Sequence, residues 1–360
     1  MRKRRKTVSE DRLTITQRNA RPENERENSS PHIPVDQTID ICSRLQAKSV
    51  AACRCVSKLW ASTLRLPHFS ELFLTRSLAR PQLLFAYQKH GRFCFFSSPQ
   101  PQNPDENSSP IVADYHMKLS FDGLFCEMSE SVHGLVCLIY TKEIPRGRTE
   151  TVPVIYNPST GQSLPLPKVT TKGVKVISYL GYDPVDKQFK VLSMTRCHEN
   201  AWACAIDRSS GDSMIVCFDV RSESFKSIIV YRAAHDGYLI DYNGKLGLFV
   251  RDFDWFFDGS LKLWVLKDAE KPEWSKHTFV FPPTLWKDIV GTTEVHFVGV
   301  TRTNEVVFWI ERMLPSCVVY CNIERRTIVR VRLHGLEAGK NRKVDTCLDH
   351  VENVNHELLL

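Results

Sequence analysis

From Gln82 to about His334 the chain is a nearly unbroken series of short β-branched and aromatic runs, separated by clusters of Asn, Asp, Pro and Gly. Val154-Ile155-Tyr156 leads through Asn157-Pro158-Ser159-Thr160-Gly161 into Ser163-Leu164-Pro165-Leu166-Pro167. Tyr179 to Tyr182 leads through Asp183-Pro184-Val185-Asp186-Lys187 into Phe189 to Leu192. Ile215 to Phe218 turns through Asp219 to Ser224 into Phe225 to Ile228, and Val318 to Cys321 turns through Asn322 to Arg326 into Thr327 to Val331. Asn, Asp, Pro and Gly supply the local hydrogen bonds and unusual backbone angles that tight strand connections need. Similar hairpins recur at Tyr238 to Phe249, Leu261 to Phe281 and Val298 to Trp309. Two hairpins per unit gives a spacing near the ~40–50 residues of a propeller blade. So many strands would leave many unpaired edges unless the sheets repeat around a ring. A β-sandwich explains single hairpins but not this many in succession.

Ahead of this region the period changes. Pro34 suits a first helical position, where its missing N–H is not needed. Ile39, Cys42 and Leu45 share one helical face, widened by Ile41. Ser49 is a plausible cap for a second helix carrying Val50 and Cys53. Val56, Leu59, Trp60 and Leu64 make a third apolar face, and Phe69, Leu72 and Phe73 a short further helix that Arg80-Pro81 ends. A segment this short buries too little surface to stand alone, so it needs a partner or a neighbouring domain.

Residues 1–30 are polar, with Arg2-Lys3-Arg4-Arg5-Lys6 at the start, and cannot bury a core. That run reads as a nuclear localisation signal or as a solvated tail, placing the protein in the nucleus or the cytoplasm. It also accounts for most of the net charge of +7. No stretch approaches the roughly 18 apolar residues of a membrane span. The twelve cysteines are scattered, without a secretion signal, and read as reduced, mostly buried thiols. Cys53-x-Cys55, Cys197-His198 with Cys204, and Cys317-x-x-x-Cys321 lack the paired spacing of a zinc site, and no metal or other cofactor is expected.

Catalytic patterns are missing as well. There is no Gly-x-Ser-x-Gly elbow, glycine-rich phosphate loop or His-Glu-x-x-His helix. Asp252, Asp254 and Asp258 resemble a calcium loop, but aromatics intervene and the distal bidentate Glu is missing. His133, His198, His235, His277 and His296 show no paired spacing. Tryptophan favours both binding hot spots and blade packing. The Trp255-Phe256-Phe257 cluster, beside turn residues, is the best candidate for an exposed substrate contact.

Ile33-Pro34-Val35-Asp36, Arg44-Leu45, Ala47-Lys48-Ser49-Val50 and Arg54-Cys55-Val56-Ser57-Lys58-Leu59-Trp60 together resemble the F-box of a large plant family. Ile155 to Pro167 and Leu180 to Leu192 resemble signature lines of the type 3 F-box-associated domain that follows it. The two regions cover most of the chain, from about Ile33 to His334. The F-box departs from the family pattern at four places. Gln37 and Cys42 replace Leu, Gln46 replaces Pro, and Ala52-Cys53 replaces Arg-Phe, several at positions that would enter an adaptor groove.

The resemblance implies an α+β multidomain protein, a small all-α F-box domain followed by an all-β kelch-like propeller. The expected divisions are a polar tail (1–30), the F-box helices (31–78), the propeller (79–335) and a C-terminal tail (336–360) that could end the propeller. It further implies a non-catalytic subunit of a ubiquitin ligase complex, docking a Skp-type adaptor and through it a cullin, with an unknown protein substrate. Ile33, Pro34, Ile41, Leu45 and Val56 match the adaptor-facing positions, and Val50, Leu59 and Trp60 would hold the F-box together. A propeller binding module whose F-box has decayed is the alternative. Nucleic-acid binding has little support, because no aromatics interleave with the basic run and the body lacks a basic stripe.

Overall fold

The computed structural model describes residues 33–89, 92–105, 108–120, 124–172, 175–196, 205–206, 213–230, 237–250, 260–271, 273–290, 295–310, 316–336 and 344–355. Four helices come first: α1 (Val35–Cys42), α2 (Ala47–Arg54), α3 (Lys58–Thr63) and α4 (Pro67–Leu78). Pro34 is the N-cap of α1, in extended backbone with ψ 144°, one position before the first helical residue expected of it. Ser49 is no cap. It lies within α2, its N–H donating to the Gln46 carbonyl at 2.9 Å. Ser57 does cap α3, its Oγ accepting from the Trp60 N–H at 3.1 Å, and Pro67 opens α4. The inward faces of the helices share one core of Ile39, Cys42, Ala47, Val50, Leu64, Phe69 and Phe73.

The rest is mainly β and is arranged as a propeller. In chain order the strands are β1 (Gln82–Lys89), β2 (Arg92–Pro99), β3 (Ile111–Val112), β4 (Asp114–Ser120), β5 (Leu124–Met128), β6 (Val136–Ile144), β7 (Arg148–Tyr156), β8 (Ser163–Pro165) and β9 (Val169–Thr171). Then come β10 (Lys175–Asp183), β11 (Gln188–Arg196), β12 (Ala205–Ile206), β13 (Ser213–Asp219), β14 (Ser224–Val230), β15 (Tyr238–Tyr242), β16 (Lys245–Val250), β17 (Ser260–Asp268) and β18 (Glu273–Val280). A helix, α5 (Pro283–Val290), interrupts the series before β19 (Val295–Val300), β20 (Glu305–Ile310), β21 (Cys317–Asn322), β22 (Thr327–His334) and β23 (Val344–His350). Among the described residues these strands form six sheets. Four have four or five strands, and β10-β11 and β12-β13-β14 are smaller.

Four of the hairpin signatures fold into one local device. Asn157, Asp183, Asp219 and Asn322 each end a strand and accept backbone N–H groups on the side-chain oxygen from two or three residues ahead. The loop then closes on a left-handed residue: Gly161 (φ 76°), Lys187 (φ 53°), Glu223 (φ 53°) or Arg326 (φ 54°). The Asx side chain replaces a backbone turn hydrogen bond, which is why the loops all start with Asn or Asp.

The central strands are apolar throughout because both faces of a blade are covered. On β20, Val306, Phe308 and Ile310 enter one core, which Cys317 and Cys321 of β21 also join. Val307 and Trp309 enter the next core, with Leu83, Phe85 and Tyr87 of β1. The alternate residues of β1, Leu84 and Ala86, face a third core with Val136, Leu138 and Tyr156. Period-2 alternation thus divides each strand between two neighbouring blades, and no solvent face remains to be polar.

In the C-terminal segment 336–360, which the sequence reading allowed to end the propeller, β23 pairs antiparallel with β1 and completes the β23-β1-β2-β4 sheet. β3, from the segment between β2 and β4, runs parallel to β22 and adds to the last sheet. Gly335 permits this close approach: φ is +84°, and a Cβ would lie 2.6 Å from the Ala113 carbonyl oxygen. The first and last blades therefore exchange strands in both directions. Helix α5 was not foreseen. Its Trp286 is buried against Phe308, the ring centroids 6.0 Å apart.

Two outcomes follow from the packing. Asn157 is fully buried, holding its own turn and donating from Nδ2 to the Asn353 and Asn355 carbonyls. Asn157→Ala should cost about 2–3 kcal/mol, read from urea unfolding, with a visibly smaller loss for Asp219→Ala at the exposed counterpart turn. His350 on β23 is buried, its ring nitrogen within hydrogen-bond distance of Ser131 Oγ at 2.8 Å, and burial depresses its pKa from 6.5 to about 3. The unfolded chain therefore takes up this proton first as pH falls below 6.5, and stability from the neutral ring is lost toward the folded value. Between pH 6.5 and about 5, wild-type stability should fall more steeply than that of His350→Gln. Equal slopes would refute this role for His350.

Candidate functional site

The four helices hide one set of apolar side chains and display another. Six of the seventeen large hydrophobics exposed among the described residues lie between Ile33 and Leu66: Ile33, Val35, Ile41, Val56, Leu59 and Leu66. Helical spacing produces the split. Ile39 and Cys42 of α1 turn inward, which leaves Ile41, 51% exposed, on the outer side. Val56, in the connection from α2 to α3, is 67% exposed. Pro34 is exposed beside Ile33 and Val35. Such a concentration of apolar surface on a small unit is the signature of a partner site.

Two assignments from the sequence exchange places. Leu45, set toward the adaptor by the resemblance but with Ile39 and Cys42 by the helical period, packs against the helical core, the chain turning back after α1 with the Leu45 N–H on the Cys42 carbonyl at 3.2 Å. Leu59, expected inside, is 42% exposed. On α3 the inward direction is taken by Thr63 and Leu64, with Trp60 half-buried against the same core, and Leu59 is one residue, about 100°, away from Trp60. Val50 is fully buried, as a core residue would be.

The departures from the family pattern also sort by face. Cys42 is buried in the helical core, and Cys53 packs against that core beside it. Burial, with Cys53 as neighbour, pushes the Cys42 thiol up to about 11. These substitutions therefore alter the inside of the helical unit and not its outer face. Gln37 and Gln46 are exposed.

A polar network holds this face in position. Arg76 of α4 donates to the Asp40 carbonyl, the Asp40 carboxylate and Ser43 Oγ, pinning the end of α1. Arg76 and then Arg44 hold the Asp40 carboxyl below its usual range. More telling is the C-terminal segment after β23. Gln46 provides no side-chain cap for α2, and the Ala47 N–H donates instead to Glu352 Oε1 at 3.0 Å. Arg54, at the far end of α2, donates to the carbonyls of Leu64 and Val354 at 2.7 and 3.0 Å. Val354 itself is part of the helical core. The same segment is bound to the propeller, with Asn353 Nδ2 donating to the His133 carbonyl and the Asn353 N–H to Ser159 Oγ. Lys187–Glu71 at 2.7 Å and Arg302 Nη1 to the Leu78 carbonyl at 3.4 Å add outer ties. None of the strap contacts was visible in sequence, where 336–360 has no motif; Val35 and Leu66, by contrast, were within reach of the period argument.

The remaining candidates are dispersed. Trp274, Trp286 and Trp309 are buried in blade cores. Trp264 is partly buried, with Lys276 over its ring at 5.6 Å. The His133 ring lies tilted against Tyr182, centroids 4.1 Å apart, and His277 Nε2 lies 3.2 Å from Ser275 Oγ in an exposed contact two residues along one strand. Trp202, Trp255, Phe256 and Phe257 lie outside the described residues, as do Asp252, Asp254, Asp258, His198, His235 and the Arg2–Lys6 run.

Residues 82–206 and 202–356 match the F-box associated beta propeller domain. F-box protein At5g65850 of Arabidopsis thaliana is 45% identical, with 98% of each chain covered. F-box protein DOR of the same plant is also 45% identical, covering 98% of this chain and 99% of that one. A third Arabidopsis relative, F-box protein At3g61340, is 35% identical over 91% of this chain and 94% of its own length. The chain belongs to the plant F-box proteins that carry an F-box-associated β-propeller domain.

Proposed function

We propose that this chain is a substrate-recognition adaptor of an SCF-type (Skp–cullin–F-box) ubiquitin ligase. The outer face of α1 and the α2–α3 connection docks a Skp-type adaptor, and the propeller holds the protein to be ubiquitinated. The observation that carries this reading is the apolar set Ile33, Val35, Ile41, Val56, Leu59 and Leu66, exposed on a helical unit whose core is filled by other side chains, Val354 among them. F-box proteins with this propeller are generally non-catalytic adaptors. The contribution to chemistry is proximity: acceptor lysines held near a charged conjugating enzyme react at a raised effective concentration.

The placement of the family departures favours this reading over a decayed F-box. Cys42 and Cys53 meet inside the helical unit, and although Gln37 and Gln46 are exposed polar replacements, Ile33, Val35, Ile41 and Val56 remain as exposed apolar residues available for docking. The coupling through Glu352, Asn353 and Val354 favours it too, since a fixed angle between docking face and propeller is what presentation of a bound protein requires.

Co-precipitation of the full-length chain with a Skp-type adaptor, paired with thermal melting, tests the assignment. Ile41→Lys places an unpaired charge in an apolar contact and should weaken binding about a hundredfold with an unchanged melt. Trp60→Ala should instead lower the stability of the helical unit by about 2 kcal/mol, the half-buried fraction of a full tryptophan truncation. Adaptor binding by Ile41→Lys at the wild-type level would sink the reading.

A further inference from the structure

Where the first and last blades meet, the face of β1, β2 and β4 opens into a cleft of about 350 Å³. Its wall is aromatic. Tyr87 and Phe96 stack with ring centroids 5.5 Å apart and planes 9° from parallel, and Tyr115 meets Phe96 edge-on at 5.4 Å. Tyr87 and Phe96 are buried, while Tyr115 is 45% exposed and offers its ring to the opening.

Its rim is cationic. Register places Tyr87, Cys94 and Lys118 directly across from one another, with Lys89 opposite Arg92 one step further along. Lys89, Arg92 and Lys118 all line the cleft. Among the described residues none of these three cations is in an ion pair. Arg92 is close enough for its charge to act on the Tyr115 hydroxyl. Among the described residues, Asp345 of β23 pairs with Ala86 and so stands on the opposite face of the sheet. On the side of the last blade the lining residue is Gly335, which adds no side chain to close the cleft.

Among the described residues these three like charges converge without a counter-ion, which is unfavourable on its own, and a small pocket with an aromatic wall and convergent polar groups is the usual form of a ligand site. The pairing of ring faces with ammonium and guanidinium groups selects the ligand. We infer that this cleft binds an aromatic ring that carries an anionic group such as a phosphate, the ring against Tyr115 and Phe96 and the anion between Lys89, Arg92 and Lys118. The volume suits a single ring, either a free small molecule or one phosphotyrosine side chain of a bound protein. The site lies on the propeller and does not depend on adaptor docking.

Titration of the full-length chain by calorimetry tests this with phenyl phosphate, phenol, inorganic phosphate and a short peptide bearing one phosphotyrosine. Phenyl phosphate should bind at least about tenfold tighter than either phenol or phosphate alone. Lys118→Glu, Arg92→Glu and Tyr115→Ala should each weaken it by about tenfold or more, while Lys226→Glu, on β14 of another sheet, leaves it unchanged. Lys118 and Arg92 are exposed, so thermal melts of those two variants should match the wild type and separate lost binding from lost folding. A peptide that binds about tenfold tighter than phenyl phosphate, and loses this in the same variants, identifies a protein-borne ring. A peptide no tighter than phenyl phosphate identifies a free molecule. Phenyl phosphate binding no tighter than inorganic phosphate, binding insensitive to all three substitutions, or no binding by any probe would overturn the inference.

Discussion

The last twelve described residues, Val344 to Asn355, hold the architecture together. β23 supplies the edge that the first blade otherwise lacks. The segment after it runs between the helices and the propeller, with Asn353 bound to the blade that contains Asn157 and Val354 buried among the helices. Gly134, at φ +82°, makes room for this run, since a Cβ there would lie 2.5 Å from the Val351 carbonyl oxygen. Ring and helices thus depend on contacts nearly the whole sequence apart: the Ala47–Glu352 hydrogen bond spans 305 positions. Contacts of such separation carry a large loop-closure entropy and reward folding only when the rest is in place.

What the sequence made legible was local. The Asn157, Asp183, Asp219 and Asn322 turns were readable because cap and left-handed residue sit within five positions of each other. Inward positions of the helices were mostly readable from a 3.6 period, Leu45 included, since it packs with Ile39 and Cys42 at the core; only the resemblance set it toward an adaptor. Leu59 failed because Trp60 beside it competes for the same core and wins by area. Helix α5 was invisible in a stretch introduced by Pro282-Pro283 that reads as a loop. The pairing of β3 with β22 and of β23 with β1 could not be seen, since nothing in a short strand encodes a partner two hundred residues away. The exposed apolar set of the helices was half legible: Ile33, Pro34, Ile41 and Val56 came from the resemblance, but the split between exposed and buried apolar residues depends on the fold. The substrate candidate at Trp255 to Phe257 is not tested by the described residues.

The F-box substitutions divide between the two faces: Cys42 and Cys53 lie at the helical core, while Gln37 and Gln46 are exposed. Two positions where the family carries large apolar residues are cysteines here, and they are neighbours in space. Cysteine behaves as a small hydrophobe when buried, so a pair of adjacent reductions trades volume within one pocket of the core. Val354 packs into the same core from the strap. A residue from the propeller's closing segment therefore contributes to the interior of the helical unit, which makes the two halves one packing problem.

That shared packing bears on the proposed adaptor role, in which the contribution to a reaction is proximity. Proximity raises rate only where the geometry between the two held partners is restricted, because a loose tether spreads the acceptor over a large volume. Here the restriction does not come from a stiff linker between α4 and β1. It comes from a third element that enters both units: Glu352 caps α2, Val354 fills the helical core, and Asn353 is held by Ser159 and His133 of the propeller. Because the strap also closes the ring through β23, loosening the helices from the propeller and opening the ring begin at the same residues. The angle between the proposed docking face and the propeller is thereby tied to the stability of the propeller itself.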